Sequence, residues 1–306
     1  MIQNIVSECG KVTLTFSDSF GVFSLSPVKL EYYHSLKGSE ITNAVTGDGC
    51  PYVIFTGTAG QSSLSNKSLC VFNCEENRKL SEIELSDVVK KIVIVEPYFY
   101  VVLNTEVFVY RIDPPELVKR YFTGENEYAP FDFYKNNDEL ILAFTGNKNG
   151  TIRIIRGDEN EVTINAATHK ITMLKFSESG EIIATASANG TLIRLFNTND
   201  GCMIKEFRRG SFSANIYSIQ FSIHDELVGV ISSNGTLHLF DINSESNKSI
   251  IKWRLENKGF SVFQFLSKDE LVVIMNNGKI VNLKINESKT SLSVISCSSV
   301  FDFLQK

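Results

Sequence analysis

The chain lacks any hydrophobic run approaching the ~18 apolar residues of a membrane-spanning helix, so the sequence predicts no transmembrane segment. Its first eight residues contain no basic stretch followed by an apolar segment, and we therefore expect no secretory signal. There is one tryptophan, and six cysteines are scattered without a disulfide framework or a Cys-X-X-Cys pair. These absences favour a protein of a reducing compartment, such as the cytoplasm, without structural disulfides.

An excess of positive charge is also missing. The 30 Lys and Arg residues are outnumbered by 35 Asp and Glu residues, and the net charge is −5 at pH 7. A protein that coats nucleic acid or an anionic membrane through its bulk field needs the opposite balance. Nucleic-acid binding is therefore disfavoured, and any anion must be met by a local group of donors.

The sequence shows no pattern typical of an active site. No Ser-His-Asp arrangement, pair of carboxylates in a defined loop, or cluster of metal-ligating residues stands out. We therefore expect a protein that is not an enzyme and that holds no cofactor and no metal.

What the chain does contain is a repeated hairpin motif, read as a strand, an Asn-Gly turn and a second strand. Asn-Gly between alternating apolar residues is the strongest short-range hairpin signal, and it predicts a type I′ turn with positive φ at both central residues. The turn glycines follow one another at spacings of 40, 45 and 43 residues, which is the period of a propeller blade. They are Gly150, Gly190, Gly235 and Gly278.

Three looser hairpins, at residues 16–23, 65–72 and 103–110, bring the number of units to seven. Amphipathic helices with capping signals are absent, and Val, Ile, Phe and Thr recur in short alternating runs. The sequence thus predicts an all-β fold, a single seven-bladed β-propeller over residues 1–306. We expect an N-terminal strand to complete the last blade, because closure protects sheet edges. The expected blades cover residues 1–48, 49–85, 86–125, 126–165, 166–210, 211–253 and 254–306.

Two adjacent arginines, Arg208 and Arg209, stand where a strand-like run ends, and Gly210 follows as an expected backbone hinge. Each guanidinium presents a rigid fork of donors that fits a phosphate bidentately. Neighbouring side chains on a strand point to opposite faces, so the two arginines are expected to serve two different pockets. An arbitrary Arg-Arg pair is more often a solvated surface pair, and the interpretation therefore depends on the surrounding residues.

The surrounding residues resemble a known family. The resemblance is carried by His169-Lys170, the runs 180–187 and 190–196, and Phe207-Arg208-Arg209-Gly210. These segments are similar to the signature of the PROPPINs, WD-repeat propellers that include the WIPI proteins. Members of that family bind phosphoinositides phosphorylated at the 3 position and act in autophagy and endosomal membrane traffic. The similarity covers blades 2 to 6, whereas blades 1 and 7 match only in length and strand pattern.

The resemblance implies two lipid head-group pockets, one on each side of the arginine pair. Taken singly, each hydroxyl or histidine is more often a turn or strand-end residue than a ligand. The matching positions of Thr191 and Thr236, 45 residues apart in equivalent hairpins, favour the set as a whole. The first pocket would contain Arg208, His169, Ser187 and Thr191, and the second Arg209, Ser232, Ser233, Thr236 and His238.

The resemblance also implies a function. The protein would be a monomeric, cytoplasmic scaffold recruited peripherally to autophagic, endosomal or vacuolar membranes. It would recognise phosphatidylinositol 3-phosphate, the 3,5-bisphosphate or both, and would have autophagy-related protein partners. The alternative is a WD-repeat protein-interaction scaffold that binds no lipid, because a fold does not define a function.

One segment departs from the family pattern. Several PROPPINs carry a long amphipathic loop in blade 6 that dips into the bilayer, whereas the corresponding link here, residues 243–249, is short and has no aromatic residue or leucine. Insertion of apolar side chains is the physical basis of firm interfacial binding. We therefore expect membrane association to depend more on the head-group pockets.

Overall fold

The computed structural model describes residues 2–8, 10–36, 38–47, 49–58, 64–137, 139–157 and 160–304. These residues form seven four-stranded sheets, each built from four consecutive strands, and one short helix, α1 (Phe301–Leu304). The predicted all-β, seven-bladed β-propeller is confirmed. The part of the chain that the structure describes contains no helix long and apolar enough to cross a membrane.

The chain divides into two compact units. The first contains Met1–Thr123, Asn276–Lys279 and Ser299–Lys306, and the second contains Gly124–Met275 and Ile280–Ser298. Three sheets belong to the first unit, β1–β4, β5–β8 and β9–β12. Their strands are β1 (Asn4–Glu8), β2 (Lys11–Thr15), β3 (Ser19–Leu25), β4 (Val28–Ser35), β5 (Ile41–Thr46), β6 (Tyr52–Gly57), β7 (Ser68–Asn73), β8 (Arg78–Glu84), β9 (Lys91–Val95), β10 (Tyr98–Val102), β11 (Glu106–Arg111) and β12 (Glu116–Phe122).

Four sheets, β13–β16, β17–β20, β21–β24 and β25–β28, belong to the second unit apart from the terminal residues Lys279 and Ser299. Their strands are β13 (Phe131–Lys135), β14 (Leu140–Thr145), β15 (Thr151–Arg156), β16 (Asn160–Asn165), β17 (Ile171–Phe176), β18 (Ile182–Ser187), β19 (Leu192–Asn197), β20 (Met203–Arg208), β21 (Ile216–Phe221), β22 (Leu227–Ser232), β23 (Thr236–Asp241), β24 (Ile251–Arg254), β25 (Ser261–Phe265), β26 (Glu270–Met275), β27 (Lys279–Ile285) and β28 (Leu292–Ser299).

Burial follows the position of a strand within its sheet. Middle strands such as β7 and β22 are buried at every residue, whereas the outer strand β12 alternates between exposed and half-buried positions. A strand covered on both faces needs apolar residues throughout, and an outer strand with one wet face needs them at every second position. In the second unit, one apolar cluster joins the fifth and sixth sheets through Phe207, Phe221 and Phe240. This cluster holds together the two sheets that carry the arginine pair and its neighbours.

The Asn-Gly turns differ from the predicted type I′ geometry. The four turn glycines have φ between 58° and 87°, but none of the asparagines before them has a positive φ. At the fifth sheet, the Gly190 N–H donates to Ser187 O at 2.8 Å, which closes a tight turn one residue earlier than expected. A type I turn followed by a left-handed glycine is the alternative hairpin loop, and it needs positive φ only at the glycine. The expectation of type I′ turns is therefore wrong.

The last sheet also differs from the prediction. It consists of the consecutive strands β25 to β28, while β1 pairs with β2 in the first sheet. The expectation that an N-terminal strand completes the last blade is therefore wrong, because residues 292–299 supply the fourth strand. Among the described cysteines, all five are free thiols, and Cys9 lies outside the described residues.

Candidate functional site

The arginine pair lies at the end of β20, the outer strand of the fifth sheet. Phe207 is completely buried, and its ring centroid lies 4.8 Å from that of Phe240 in β23. Because side chains alternate along a strand, Arg208 points away from this core and is exposed. Arg209 follows the strand and is only 5% exposed. The two guanidiniums therefore lie in different environments, one open to solvent and one buried.

Two backbone carbonyl groups hold the side chain of Arg209. Its Nε donates to Gly190 O at 2.8 Å, and its Nη2 donates to Phe212 O at 2.5 Å. Burial lowers the pKa of the guanidinium below its ordinary value, yet arginine remains protonated at any accessible pH. None of the described carboxylates forms a salt bridge with it. A buried positive charge without a carboxylate partner is costly, and an anionic ligand would relieve that cost.

The residues expected in the first pocket lie near one end of the fifth sheet. Arg208 pairs with Leu192, the neighbour of Thr191, and Ser187 ends β18 at the other side of the same hairpin. His169 is exposed in the segment that precedes β17. Within the described part of the chain, these four side chains make no hydrogen bond, so their donors are available to a ligand.

Apart from Arg209, the residues expected in the second pocket lie on the hairpin of β22 and β23. Ser232 pairs with Thr236 and is completely buried, and its Oγ has no hydrogen-bond partner. A buried hydroxyl without a partner typically costs about 1–3 kcal/mol, so this atom favours a ligand or a water molecule beside it. Ser233 differs from the other two hydroxyl residues of this pocket because its Oγ already accepts a hydrogen bond from the Asn215 N–H at 3.1 Å. This bond uses one lone pair of the Ser233 hydroxyl group, and its O–H remains a donor for a ligand.

His238 is 6% exposed and lies in the same hairpin. Its Nδ1 lies 3.3 Å from Ser249 Oγ, and its ring is stacked on that of Phe240. Burial lowers the pKa of His238 to about 4, and the positive charges of Lys252 and Arg209 act in the same direction. The imidazole is therefore neutral near pH 7 and can donate from only one ring nitrogen.

The pKa of His238 leads to an expected pH dependence of stability. The unfolded ring has its ordinary pKa of about 6.5, so the unfolded state binds more protons than the folded state between pH 6.5 and pH 4. The free energy of unfolding should therefore rise with pH across this window, by on the order of 2–3 kcal/mol from this group. Urea unfolding from pH 4 to pH 7 would measure it, with His238→Gln as the reference that lacks the titration. Parallel curves for the two proteins would contradict this assignment.

The site is built from hydrogen-bond donors rather than from metal ligands. Among the described residues, no group of three or more His, Cys, Asp or Glu side chains could hold a metal ion. Two guanidiniums, five hydroxyl groups and two imidazoles instead suit a ligand that is rich in acceptor oxygens. Sequence reasoning missed the carbonyl oxygens of Gly190 and Phe212, because a backbone acceptor leaves no mark on the residue type.

Comparison with known proteins identifies the family of the chain. The family model described as PROPPIN matches residues 9–254 of the chain. The chain is 25% identical over 269 residues to SVP1-like protein 2 of Debaryomyces hansenii, with 75% of this chain and 62% of the relative covered. It is 24% identical over 251 residues to Autophagy-related protein 18 of Dictyostelium discoideum, with 81% of this chain and 67% of the relative covered.

A solved structure is similar over almost the whole chain. The crystal structure of Hsv2 from Kluyveromyces marxianus has a TM-score of 0.84 and 20% sequence identity, and the match covers 98% of each chain. Likeness at this identity supports the fold and does not by itself transfer a ligand. The chain spans about two thirds of the length of the two curated relatives.

Proposed function

Since the chain belongs to the PROPPIN family, we propose that it is a scaffold recruited to membranes by binding phosphoinositide head groups at its fifth and sixth sheets. The observation that carries this proposal is the buried guanidinium of Arg209, which has two carbonyl partners and, among the described residues, no carboxylate partner. A phosphate group supplies the missing negative charge and accepts several N–H groups at once. Because the net charge of the chain is −5, a bulk electrostatic attraction to an anionic membrane does not explain the proposed recruitment.

The arginine pair separates two head-group pockets in this proposal. Arg208 with His169, Ser187 and Thr191 would bind one phosphorylated inositol ring. Arg209 with Ser232, Ser233, Thr236 and His238 would bind a second. Arginine carries five N–H donors, and the two carbonyl bonds of Arg209 leave three for a ligand.

The ligands would be phosphatidylinositol 3-phosphate, phosphatidylinositol 3,5-bisphosphate or both. We further propose that the scaffold is a monomeric propeller of residues 1–306, neither an enzyme nor a cofactor-binding protein. It would move from the cytoplasm to autophagic, endosomal or vacuolar membranes and would bind autophagy-related proteins there. The similarity to Autophagy-related protein 18 of Dictyostelium discoideum and the family membership support the link to autophagy.

A head-group panel on vesicles tests the proposal. Vesicles of one neutral lipid composition would carry phosphatidylinositol, each of its three monophosphates, or the 3,5-bisphosphate, and bound protein would be measured by flotation. We expect binding to vesicles with a 3-phosphate and little binding to phosphatidylinositol itself. Equal binding to every vesicle, or none to any, would favour the alternative, a WD-repeat interaction scaffold that binds no lipid head group.

A single replacement tests the existence of two pockets. Arg208→Thr should lower vesicle affinity by about tenfold, since one charge-assisted bidentate contact is lost while the Arg209 pocket remains. Titration with a soluble short-chain phosphatidylinositol 3-phosphate should show a stoichiometry that falls from two to one. A variant that keeps both the full affinity and the stoichiometry of two would contradict the two-pocket arrangement.

A further inference from the structure

The loop that follows the arginine pair, residues 210–215, carries an unusually exposed aromatic side chain. Phe212 is 83% exposed, more than any other large apolar side chain among the described residues. A single exposed apolar residue is ordinary on a protein surface and needs no explanation by itself. Phe212 differs from such a residue in its position, because it lies three residues after Arg209 and between the two proposed pockets.

The backbone of this loop is tied to the site. The Nη2 of Arg209 donates to Phe212 O at 2.5 Å, and the Ala214 N–H donates to Asn189 O at 3.2 Å. The backbone carbonyl group of Phe212 is thus held by the guanidinium that is proposed to bind phosphate. The ring therefore points into solvent from an anchored backbone position.

The neighbouring link of the sixth sheet, residues 243–249, supplies no comparable apolar group. Its sequence is Asn-Ser-Glu-Ser-Asn-Lys-Ser, and hydrogen bonds hold it against β20. The Nζ of Lys205 donates to the carbonyl oxygens of Ile242 and Ser244, and the Arg208 N–H donates to Asn247 O at 2.9 Å. A polar link held in this way offers a bilayer no hydrophobic contact.

The charge around Phe212 suits an anionic lipid surface. Residues 207–215 contain two arginines and no acidic residue. Glu206, just before them, forms an ion pair with Arg194 at 2.8 Å, so its charge is compensated. An exposed aromatic ring four residues from an exposed arginine, Arg208, is a composition that favours the interface of an anionic bilayer.

We propose that Phe212 inserts into the interfacial region of the bilayer whose lipid head groups occupy the two pockets. This inference rests on the proposed function. Phe212, in the loop between the fifth and sixth sheets, would supply the apolar membrane contact that residues 243–249 do not provide. Head groups would place the ring at the membrane surface, and burial of the ring would slow dissociation.

The test compares two probes of the same lipid. Phe212→Ala should bind vesicles containing phosphatidylinositol 3-phosphate about tenfold more weakly than the wild type, since burial of a phenylalanine side chain is lost. Binding of the soluble head group, inositol 1,3-bisphosphate, should be unchanged, because this ligand has no acyl region. Phe122→Ala is the matched control: it removes the same ring from a position that is 69% exposed on β12, and it should bind vesicles like the wild type.

The outcomes separate this inference from the proposed function. Wild-type protein that binds neither probe would overturn the proposed function and, with it, the insertion of Phe212. Wild-type protein that binds both probes, with Phe212→Ala equal to it on vesicles, would overturn the insertion alone. Equal losses on vesicles and on the soluble head group would also overturn it, because Phe212 would then support the pocket.

A spectroscopic variant reports the location of the ring directly. Trp253 is the only tryptophan of the chain, so Phe212→Trp combined with Trp253→Phe places a single indole at the loop. Vesicles containing the 3-phosphate should shift its emission to the blue, and brominated acyl chains should quench it. Unshifted and unquenched emission from vesicle-bound protein would overturn the proposal.

Discussion

Joint replacement of Arg208 and Arg209 by threonine is expected to lower the affinity for phosphoinositide vesicles by at least about a hundredfold. Each arginine provides charge-assisted hydrogen bonds to a phosphate, which are stronger than neutral ones. Loss of both also removes the gain from two linked contacts on one membrane, since the second contact forms intramolecularly. Flotation with vesicles that contain phosphatidylinositol 3-phosphate measures this loss.

The double variant needs a control for charge and a control for folding. Arg78→Thr with Lys79→Thr removes the same two charges from adjacent exposed positions of β8, where the surface ion pairs with Glu76 and Glu82 are worth little. This control should bind vesicles like the wild type. Thermal unfolding must accompany both variants, because the Arg209 side chain also bonds to two carbonyl groups. Unchanged vesicle binding by the folded Arg208, Arg209 double variant would show that the arginine pair does not bind the head groups, and it would favour the alternative of a protein-interaction scaffold.

The second large effect is expected at the turn that supports Arg209. Gly190 has φ of +58°, and a Cβ atom added there would lie 1.9 Å from Ala214 O. Gly190→Ala should therefore lower the free energy of unfolding by about 4 kcal/mol. The alanine would have to adopt a left-handed conformation, and its Cβ atom would overlap the backbone of Ala214. The Gly190 backbone would have to move to relieve the overlap. This movement would displace the Gly190 carbonyl group, which accepts a hydrogen bond from Arg209 Nε, so head-group affinity should fall as well. Urea unfolding and vesicle flotation measure the two effects.

Gly210 supplies the matched control for Gly190. A Cβ atom added at Gly210 would meet no atom within 4 Å, and its φ lies outside the left-handed region. Gly210→Ala should change the free energy of unfolding by no more than about 0.5 kcal/mol. Similar losses for the two variants would refute the importance assigned to the Gly190 turn. The conformation of Gly210 also gives no support to the expectation of a hinge that only glycine can provide.

Much of the fold was predictable because its determinants are local. Alternating apolar residues identify strands within a window of a few residues, and the repeated Asn-Gly pairs identify hairpins at a blade-like period. The turn type was not predictable, since a type I turn followed by glycine and a type I′ turn both accept the Asn-Gly pair. The composition of the last sheet was not predictable either, because no local pattern in residues 292–299 distinguishes a fourth strand from an unpaired segment.

The sequence by itself determined the seven strand-rich units, the adjacent arginines and the residue types of both proposed pockets, all of which depend on residues close together in the chain. Only the tertiary structure decided that Arg208 is exposed while Arg209 is buried, with no carboxylate partner in the part of the chain that the structure describes. It also decided that Gly190, 19 residues from Arg209, supplies a carbonyl partner, and that Lys205 holds Ser244, 39 residues away. Burial and backbone acceptors are set by which distant segments pack together, and one residue type can meet either environment. The physical role of each arginine therefore follows from the packing of the fifth and sixth sheets rather than from the motif alone.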